Sequence, residues 1–300
     1  MSPRPRSAAD VAARWQRLAR PNIAAAAVAL ALALAGRGAP AQDEVPFITT
    51  PDRVTVAMLE LAGVRASDHV IDLGSGDGRI VITAARRFGA SGLGVEIVPE
   101  LVLKSRSNAR AAGVAERALF REQDLFATDL ARATVVTVYL LPEVNLQLRP
   151  RLLALAPGTR IVSHDWDMGE WRPDRTLNLD VPDKAIGREK KSQVFLWVVP
   201  VRLMGTWCSG SGNDELRLEL TQRFQYFSAT LQQRAAAAPV AVFDGRIDTD
   251  VDAHGEAATL RSESTLAHAQ SVWRLAGANL QLVQMSGAGG AYAGRRFAIC

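Results

Sequence analysis

Apolar positions in the first two thirds of the chain follow two patterns that alternate. Short continuous apolar runs are typical of strands buried on both faces of a parallel sheet, and apolar residues three or four positions apart are typical of helices. The runs lie at 70–73, 92–97, 118–122, 133–140, 159–164 and 193–199. The helical spacing lies at 54–61, 79–88, 99–112 and 146–155. This alternation predicts an α/β domain over residues 45–200, built on a mostly parallel sheet.

The pattern changes after residue 200. Leu216, Leu218 and Leu220 alternate with charged residues, and the alternation continues to Phe224 and Tyr226. A period of two predicts a half-buried strand, and similar short patterns recur at 240–251 and 280–285. Residues 201–300 are therefore predicted to form a small antiparallel β domain or a half-barrel. The simplest expectation is that it covers the α/β domain, while docking of a partner and attachment to a membrane surface stay open.

The N-terminus has the pattern of a targeting segment. A basic stretch precedes the apolar run 23–35, and the small residues Ala39-Pro40-Ala41 follow. This order is typical of a signal peptide, and the apolar run is shorter than the roughly 20 residues of a spanning helix. Residues 1–44 are thus predicted to be a signal-peptide-like or membrane-targeting segment, which implies an exported or membrane-associated protein. The alternatives are an alanine-rich leader and a misassigned start site, which would leave the protein cytoplasmic.

Charge and cysteine content narrow the classes of partner and cofactor. The first 22 residues contain five arginines and one aspartate, which accounts for the whole formal net charge of +4. The remaining chain is neutral, so its charge gives no reason to expect a nucleic-acid partner. Cys208 and Cys300 are the only cysteines, too few for a cysteine zinc site. They form either one disulfide in an oxidising compartment or two buried thiols.

The most informative stretch is the glycine-rich turn after the first predicted strand. Gly74, Gly76 and Gly78 alternate with other residues, and Asp72 and Asp77 stand among them. Glycines allow positive φ and close approach of a ligand, so the turn suits a nucleotide-like molecule. The spacing differs from the G-x-G-x-x-G of dinucleotide sites. Two carboxylates would repel a pyrophosphate and attract a cation.

The stretch 72–78 resembles the first motif of class I S-adenosylmethionine-dependent methyltransferases. Three further stretches, 46–51, 139–145 and 163–168, extend the similarity to the protein-lysine methyltransferases related to the mitochondrial ATP synthase c-subunit lysine methyltransferase. The resemblance covers about residues 45–200. It implies a Rossmann-like class I methyltransferase fold, with a seven-stranded mixed sheet whose last strand is antiparallel. It also implies S-adenosyl-L-methionine as the cofactor.

The resemblance and the position of acids at strand ends together predict the cofactor site. Glu96 ends the second strand, where a carboxylate accepts hydrogen bonds from ribose hydroxyls. In the resembled family an acid after the third strand binds the adenine amino group, which implies this role for Asp124, with Leu125 beside the base. Asp124 as a helix cap is the plainer alternative. The predicted cofactor residues are Thr50, Asp72, Gly74, Ser75, Gly76, Asp77, Gly78, Glu96, Asp124, Leu125 and Tyr139.

The ends of the fourth and fifth strands are where class I enzymes present the acceptor. Methyl transfer is an in-line displacement in which alignment and exclusion of water supply most of the catalysis, so no metal is required. A lysine acceptor must first lose its proton, and an apolar wall such as Leu140 and Leu141 favours the neutral amine. Trp166 or Trp171 is predicted as a wall of the acceptor pocket. The predicted catalytic residues are Tyr139, Glu143, Asn145, His164 and Asp165.

Four of these residues have a second interpretation. Glu143 and Asn145 stand where a helix begins, so helix capping and charge–dipole matching explain them as well. His164 and Asp165 are also possible metal ligands, but a metal site is not expected because the sequence supplies no second cluster of ligands.

The sequence therefore predicts a methyltransferase that N-methylates a protein lysine. Its expected partner is a protein with an accessible lysine, including a membrane-embedded one, and not a nucleic acid. The alternatives are a small-molecule methyltransferase and an exported protein that binds the cofactor without turnover.

Overall fold

The computed structural model describes residues 48–185, 189–250, 257–263 and 270–300. The predicted targeting segment, residues 1–44, lies outside this range and stays a prediction. Within the described range, every helix is too short or too polar to cross a lipid bilayer.

A seven-stranded sheet with four helices forms the first part of the described chain. Its strands follow the order β3-β2-β1-β4-β5-β7-β6. The strands are β1 (His69–Leu73), β2 (Ser91–Glu96), β3 (Ala118–Glu122), β4 (Val135–Val138), β5 (Arg160–His164), β6 (Arg175–Asp180) and β7 (Lys191–Val198). The helices are α1 (Asp52–Leu61), α2 (Arg79–Phe88), α3 (Pro99–Ala111) and α4 (Pro142–Leu152).

Strands β1 to β5 are parallel, and β7 runs antiparallel to both β5 and β6. This arrangement confirms the predicted Rossmann-like methyltransferase fold and its antiparallel last strand. The strand order reverses between β1 and β4, where open α/β sheets bind ligands at the carboxyl ends of their strands. The central strand β4 is buried along its whole length, as its β-branched sequence predicts.

Helix α4 begins one turn earlier than its apolar spacing indicates. The spacing predicts a start at Leu146, but the helix starts at Pro142. Proline is favoured in the first turn because its missing N–H would have no partner there. Glu143 and Asn145 consequently lie inside the first turn of the helix.

The C-terminal part is a closed eight-stranded antiparallel barrel, which confirms an antiparallel β fold and corrects the half-barrel alternative. Closure removes exposed strand edges, and the interior is filled by side chains such as Phe243, Trp273 and Phe297. The barrel order is β10-β11-β12-β13-β14-β15-β8-β9. Its strands are β8 (Gly205–Ser209), β9 (Leu216–Arg223), β10 (Tyr226–Gln233), β11 (Ala241–Asp250), β12 (Ala257–Glu263), β13 (Gln270–Ala276), β14 (Asn279–Met285) and β15 (Arg296–Ile299).

One detail of the barrel differs from the sequence prediction, and another decides between the two predicted states of the cysteines. The single strand predicted through Phe224 and Tyr226 is a hairpin, because Phe224 adopts a positive φ of 56° and reverses the chain. The alternation hides this reversal, since no glycine, proline or asparagine marks it. Cys208 and Cys300 form a disulfide that joins β8 to the end of the chain beyond β15. The two cysteines are thus paired, and the compartment of the protein stays a prediction.

Candidate functional site

The glycine turn joins β1 to α2 in a backbone conformation that glycine alone adopts easily. Gly74, Gly76 and Gly78 have φ values of 78°, 52° and 84°. A Cβ on Gly78 would lie 2.6 Å from the Phe120 ring, and a Cβ on Gly74 would lie 2.9 Å from a Leu140 methyl group. Gly78 therefore allows the turn to pack on β3, and Gly74 allows Leu140 to approach it.

Glu96 lies directly against this turn. Its Oε2 accepts a hydrogen bond from the Gly76 N–H at 3.0 Å, and its Oε1 accepts from the N–H groups of Ile97 and Val98 at 2.9 and 3.1 Å. Three backbone donors fix the carboxylate at the carboxyl end of β2. This is the position from which an acid reaches a ribose, and the ribose contact of Glu96 stays a prediction.

Asp72 is a buried acid at the end of β1. Its Oδ1 accepts a hydrogen bond from Thr137 Oγ1 at 2.7 Å. Burial, with smaller contributions from the charges of Glu96 and Asp77, raises the pKa of Asp72 to about 7. Ser75 beside it is buried, and its hydroxyl has no hydrogen-bond partner in the described part of the chain. An unpaired buried hydroxyl next to a half-ionised acid suits a polar, cationic ligand.

Asp77 has an ion-pair partner that the sequence analysis did not predict. The Arg79 guanidinium binds its two carboxylate oxygens through Nε at 3.0 Å and Nη2 at 2.7 Å. Although burial acts in the opposite direction, Arg79 holds the pKa of Asp77 below its usual range. Asp77 is therefore paired with a cation of the protein itself, and its contact with the cofactor stays a prediction. Arg79 also donates to the Thr50 carbonyl at 2.8 Å, which ties the chain before α1 to the turn.

Asp124 is a helix cap, which is the plainer of its two predicted roles. Its Oδ1 accepts a hydrogen bond from the Phe126 N–H at 2.8 Å and caps the short 3₁₀ helix Leu125–Ala127. This carboxylate still follows β3 at the carboxyl edge of the sheet. The adenine contacts of Asp124 and Leu125 stay predictions.

On the acceptor side, Tyr139 packs against a buried histidine. The ring centroids of Tyr139 and His164 are 4.0 Å apart. His164 has no exposed surface, and its two nitrogens lie 3.4 Å from Thr50 Oγ1 and 2.9 Å from Ser192 Oγ. Burial lowers the pKa of His164 to about 4, although Asp165 acts in the opposite direction. His164 is therefore neutral at physiological pH and supports the ring of Tyr139.

An ion pair and a hydrogen bond from the backbone hold Asp165 in place. Its Oδ2 accepts from Lys184 Nζ at 2.6 Å, and its Oδ1 accepts from the Gln193 N–H at 3.0 Å. Its φ of 62° is a conformation that aspartate tolerates better than most residues. Burial and the nearby charge of Asp165 raise the pKa of Tyr139. The tyrosine hydroxyl is thus protonated at neutral pH.

Asn145 and Glu143 lie apart from this cluster. Asn145 is fully buried, and its Nδ2 donates to the carbonyls of Trp166 and Asp167 at 3.2 and 3.3 Å. It therefore holds the loop after β5, so direct contact with an acceptor would require the loop to move. Glu143 is exposed in the first turn of α4, where an acid stabilises the helix dipole. The catalytic roles of both residues stay predictions.

The structure brings together Thr50, Tyr139, His164 and Asp165 from three distant stretches. Sequence reasoning missed Lys184 and Ser192, which complete the cluster. A serine in an alternating strand and a lysine in a turn carry no motif that could reveal them. In the described residues, no group of three or more His, Cys, Asp or Glu side chains is arranged to hold a metal ion.

Comparison with known proteins identifies the family. Residues 72–175 match the family model described as the ANTKMT methyltransferase domain. A protein-lysine N-methyltransferase of Saccharolobus islandicus is 43% identical over 138 residues, which cover 45% of this chain and 86% of that protein. The chain belongs to this family of S-adenosylmethionine-dependent methyltransferases. The methyltransferase uses S-adenosyl-L-methionine as its methyl donor.

Other relatives share the same part of the methyltransferase. The mouse lysine N-methyltransferase of the ATP synthase c-subunit is 39% identical over 133 residues, which cover 44% of this chain and 53% of that protein. The chain thus spans about half the length of this relative. A crystal structure described as an RNA methyltransferase from Salinibacter ruber in complex with S-adenosyl-L-homocysteine has 52% sequence identity. That match covers 52% of this chain and 96% of the other, with a TM-score of 0.48.

The family match ends at Arg175, the first residue of β6, so the barrel lies outside it. The residues that fit the donor lie inside the match. When bound, S-adenosyl-L-methionine supplies an electrophilic methyl group on a sulfonium. Asp72 would face its positive charges, and Glu96 would accept hydrogen bonds from its ribose hydroxyls.

Proposed function

We propose that this methyltransferase transfers a methyl group to the side-chain amine of a lysine in a protein. The arrangement of Tyr139 carries the proposal: its ring rests on the neutral, buried His164, beside the charge of Asp165, at the carboxyl edge of the sheet. The relatives from Saccharolobus islandicus and mouse are both named as lysine N-methyltransferases, which supports the same acceptor class.

A lysine acceptor must lose its proton before it reacts at this edge of the sheet. Lowering its pKa from about 10.4 to about 7 requires roughly 4 to 5 kcal/mol of differential interaction. Partly buried Leu140 and exposed Leu141 offer an apolar approach that disfavours the ammonium form. The Tyr139 hydroxyl oxygen then accepts a hydrogen bond from an N–H of the neutral amine, which leaves the nitrogen lone pair free to point towards the methyl group. The proton of the ammonium form leaves to solvent before the amine attacks the methyl group.

Exposed apolar side chains near the predicted acceptor position favour a macromolecular acceptor over a small molecule. Leu141, Leu146 and Trp166 are 44%, 43% and 43% exposed, although they are large apolar side chains. Small-molecule sites usually enclose most of their ligand, whereas exposed apolar groups around a site suit contact with another macromolecule. An extended protein segment would cover these side chains while its lysine enters beside Tyr139.

The test uses the purified full-length chain with methyl-labelled donor. It is incubated with the membrane and soluble fractions of the source cells, and each product is divided between protease and ribonuclease treatment. We expect protease alone to release the label from macromolecules, and mass spectrometry to find it on lysine. Label that only ribonuclease releases would assign an RNA acceptor, as the description of the Salinibacter ruber protein implies for that protein. Label confined to small molecules would also refute the proposal.

A variant identifies which activity in the extract belongs to this protein. Gly76→Val adds a branched side chain at a φ of 52° in the turn, so we expect it to abolish donor binding. Label that persists with this variant would come from a contaminating enzyme.

A further inference from the structure

The loop between β5 and β6, residues 165–174, here called the acceptor loop, has two halves with different surroundings. Its first half carries Trp166, which is 43% exposed beside the predicted acceptor position. Its second half carries Trp171, which is fully buried. Trp171 packs against Trp197 of β7 at a centroid distance of 6.0 Å. Asn145 holds the first half through the carbonyls of Trp166 and Asp167. The second half continues the same short loop, so its anchoring also affects the position of Trp166.

The anchor comes from the barrel. The two-residue turn between β9 and β10, Phe224 and Gln225, lies on the second half of the acceptor loop. The Phe224 ring stacks on the Trp171 ring, with centroids 6.2 Å apart and planes inclined by 16°. The guanidinium groups of Arg149 and Arg223 lie 5.8 and 5.7 Å from the centroid of the same ring. Such stacked and cation–π contacts favour one orientation of the ring.

Polar contacts also hold the second half of the acceptor loop. Gln225 is almost fully buried, and its Nε2 donates to the Arg172 carbonyl at 2.7 Å. Two ion pairs flank it: Arg223 with Glu170 at 2.6 Å, and Arg246 with Asp174 at 2.5 Å. From the other side, Arg149 of α4 donates to the Met168 carbonyl at 2.8 Å. Each of Met168, Glu170, Trp171, Arg172 and Asp174 thus has a partner in α4 or in the barrel.

The backbone of the turn is strained at the residue that makes this contact. A two-residue hairpin turn with positive φ at its first position normally has glycine there, yet this position is Phe224 with a φ of 56°. A bulky residue persists in this region only where its surroundings hold it, and such strain concentrates at functional positions. Here the surroundings are the acceptor loop and the two arginines.

We propose that the β9–β10 turn of the barrel positions the acceptor loop, with Phe224 as the positioning residue, so that the barrel takes part in recognition of the acceptor. Phe224 acts through Trp171 on Trp166 and touches neither donor nor acceptor itself. The inference rests on the proposed function for the identity of the acceptor. The positioning step itself is measurable without any acceptor.

The experiment compares three variants of the full-length chain. Phe224→Ala removes the stacked ring, and Phe224→Tyr restores it. Tyr292→Ala is the matched control, because Tyr292 packs against the barrel core and its hydroxyl donates to Gln233 rather than to the acceptor loop. Hydrogen exchange of residues 165–172, donor affinity by calorimetry, and the KM and kcat for the acceptor protein are measured for each.

We expect Phe224→Ala to speed amide exchange in residues 165–172 at least 10-fold and to raise the acceptor KM about 10-fold, since small misplacements in a site have large kinetic effects. Donor affinity should stay within about 2-fold of the parent protein, because the ring contacts of Phe224 are with Trp171, Arg149 and Arg223 and not with the glycine turn. Phe224→Tyr should restore exchange and KM, and Tyr292→Ala should leave both unchanged.

Unchanged exchange in Phe224→Ala would overturn the proposal, as would an equal increase in Tyr292→Ala, which would mean that any damage to the barrel loosens the loop. If the parent protein shows no turnover on protein lysine, the proposed function fails. The exchange measurement then still decides whether the barrel positions the loop.

Discussion

The donor side and the acceptor side of this methyltransferase are assembled in different ways. On the donor side, the glycine turn and Glu96 are joined by contacts between residues at most 20 positions apart, such as Gly76 with Glu96. On the acceptor side, Thr50 meets His164 across 114 positions, and Trp171 meets Phe224 of the barrel. The glycine turn and Glu96 thus form a local unit, which Thr137 and Leu140 join from a more distant stretch, whereas the acceptor site needs most of the chain. This difference suits an enzyme family that keeps one methyl donor and varies the acceptor.

The largest effect should come from filling the glycine turn. Gly78→Ala places a Cβ 2.6 Å from the Phe120 ring at a φ of 84°. We expect destabilisation by about 2–5 kcal/mol, of which about 1–2 kcal/mol is backbone strain and the rest overpacking. Donor binding should become undetectable by calorimetry, and thermal unfolding should show the loss of stability.

Gly113→Ala separates these two contributions. Gly113 has a similar φ of 69°, but a Cβ there would meet nothing within 4 Å. It should cost only the strain of about 1–2 kcal/mol and leave donor binding intact. If the two variants were equally stable and bound the donor equally well, the turn would not be the packed, local unit described above.

The next largest effect should come from Tyr139→Phe, on the acceptor side. This change keeps the ring on His164 and removes only the hydroxyl. We expect kcat to fall about 10- to 100-fold, near the lower range for loss of one positioned polar group, and the donor Kd to stay unchanged. Single-turnover kinetics measure the first quantity and calorimetry the second. A normal kcat would exclude the hydroxyl from orienting the amine.

Local patterns explain why the donor side was predictable from the sequence. The strand–turn–helix order, the three glycines and the acid after β2 all follow from short stretches whose spacing has a direct meaning. The partner of Asp77 was missed although Arg79 stands two residues away. The motif suggests a charge facing a ligand, while the fold satisfies the same carboxylate with a neighbouring guanidinium.

Long-range contacts explain why the acceptor side was only partly predictable. Tyr139 and His164 could be placed at strand ends, but Lys184 and Ser192 reach them only through the antiparallel pairing of β7 with β5. The anchoring of Trp171 by Phe224 depends on a turn that no turn-forming residue marks. Neither contact leaves a signal in a single sequence, because register and docking are properties of the folded chain.

A smaller effect should follow from the pKa of Asp72 on the donor side. Burial raises that pKa from 3.8 to about 7, so the carboxyl group is mostly neutral at pH 6 and mostly charged at pH 8. Because only the charged form attracts a cation, donor affinity should increase about 10-fold between these values. The folded protein binds this proton more tightly than the unfolded chain. The contribution of Asp72 to the free energy of unfolding therefore decreases as the pH rises from about 4 to about 7.

Asp72→Asn provides the control for this pH dependence. Titration of the donor's own groups affects both proteins equally, so the difference between the two calorimetric pH profiles isolates Asp72. We expect the variant to bind more weakly at pH 8 and to lose the increase. Parallel profiles would mean that the charge of Asp72 does not act on the donor.

The smallest effect on donor binding should come from opening the disulfide of the barrel. Cys208→Ser with Cys300→Ser removes the bond between β8 and the chain end, across a separation of 92 residues. We expect a loss of about 2–4 kcal/mol in stability, confined to the barrel in a hydrogen-exchange experiment, and a donor Kd within about 2-fold of the parent. The acceptor KM should increase only as far as the β9–β10 turn and the two ion pairs beside it loosen, because these contacts join the barrel to the acceptor loop. A large loss of donor affinity would show that the donor side depends on the barrel after all, and that the two sides are not separable.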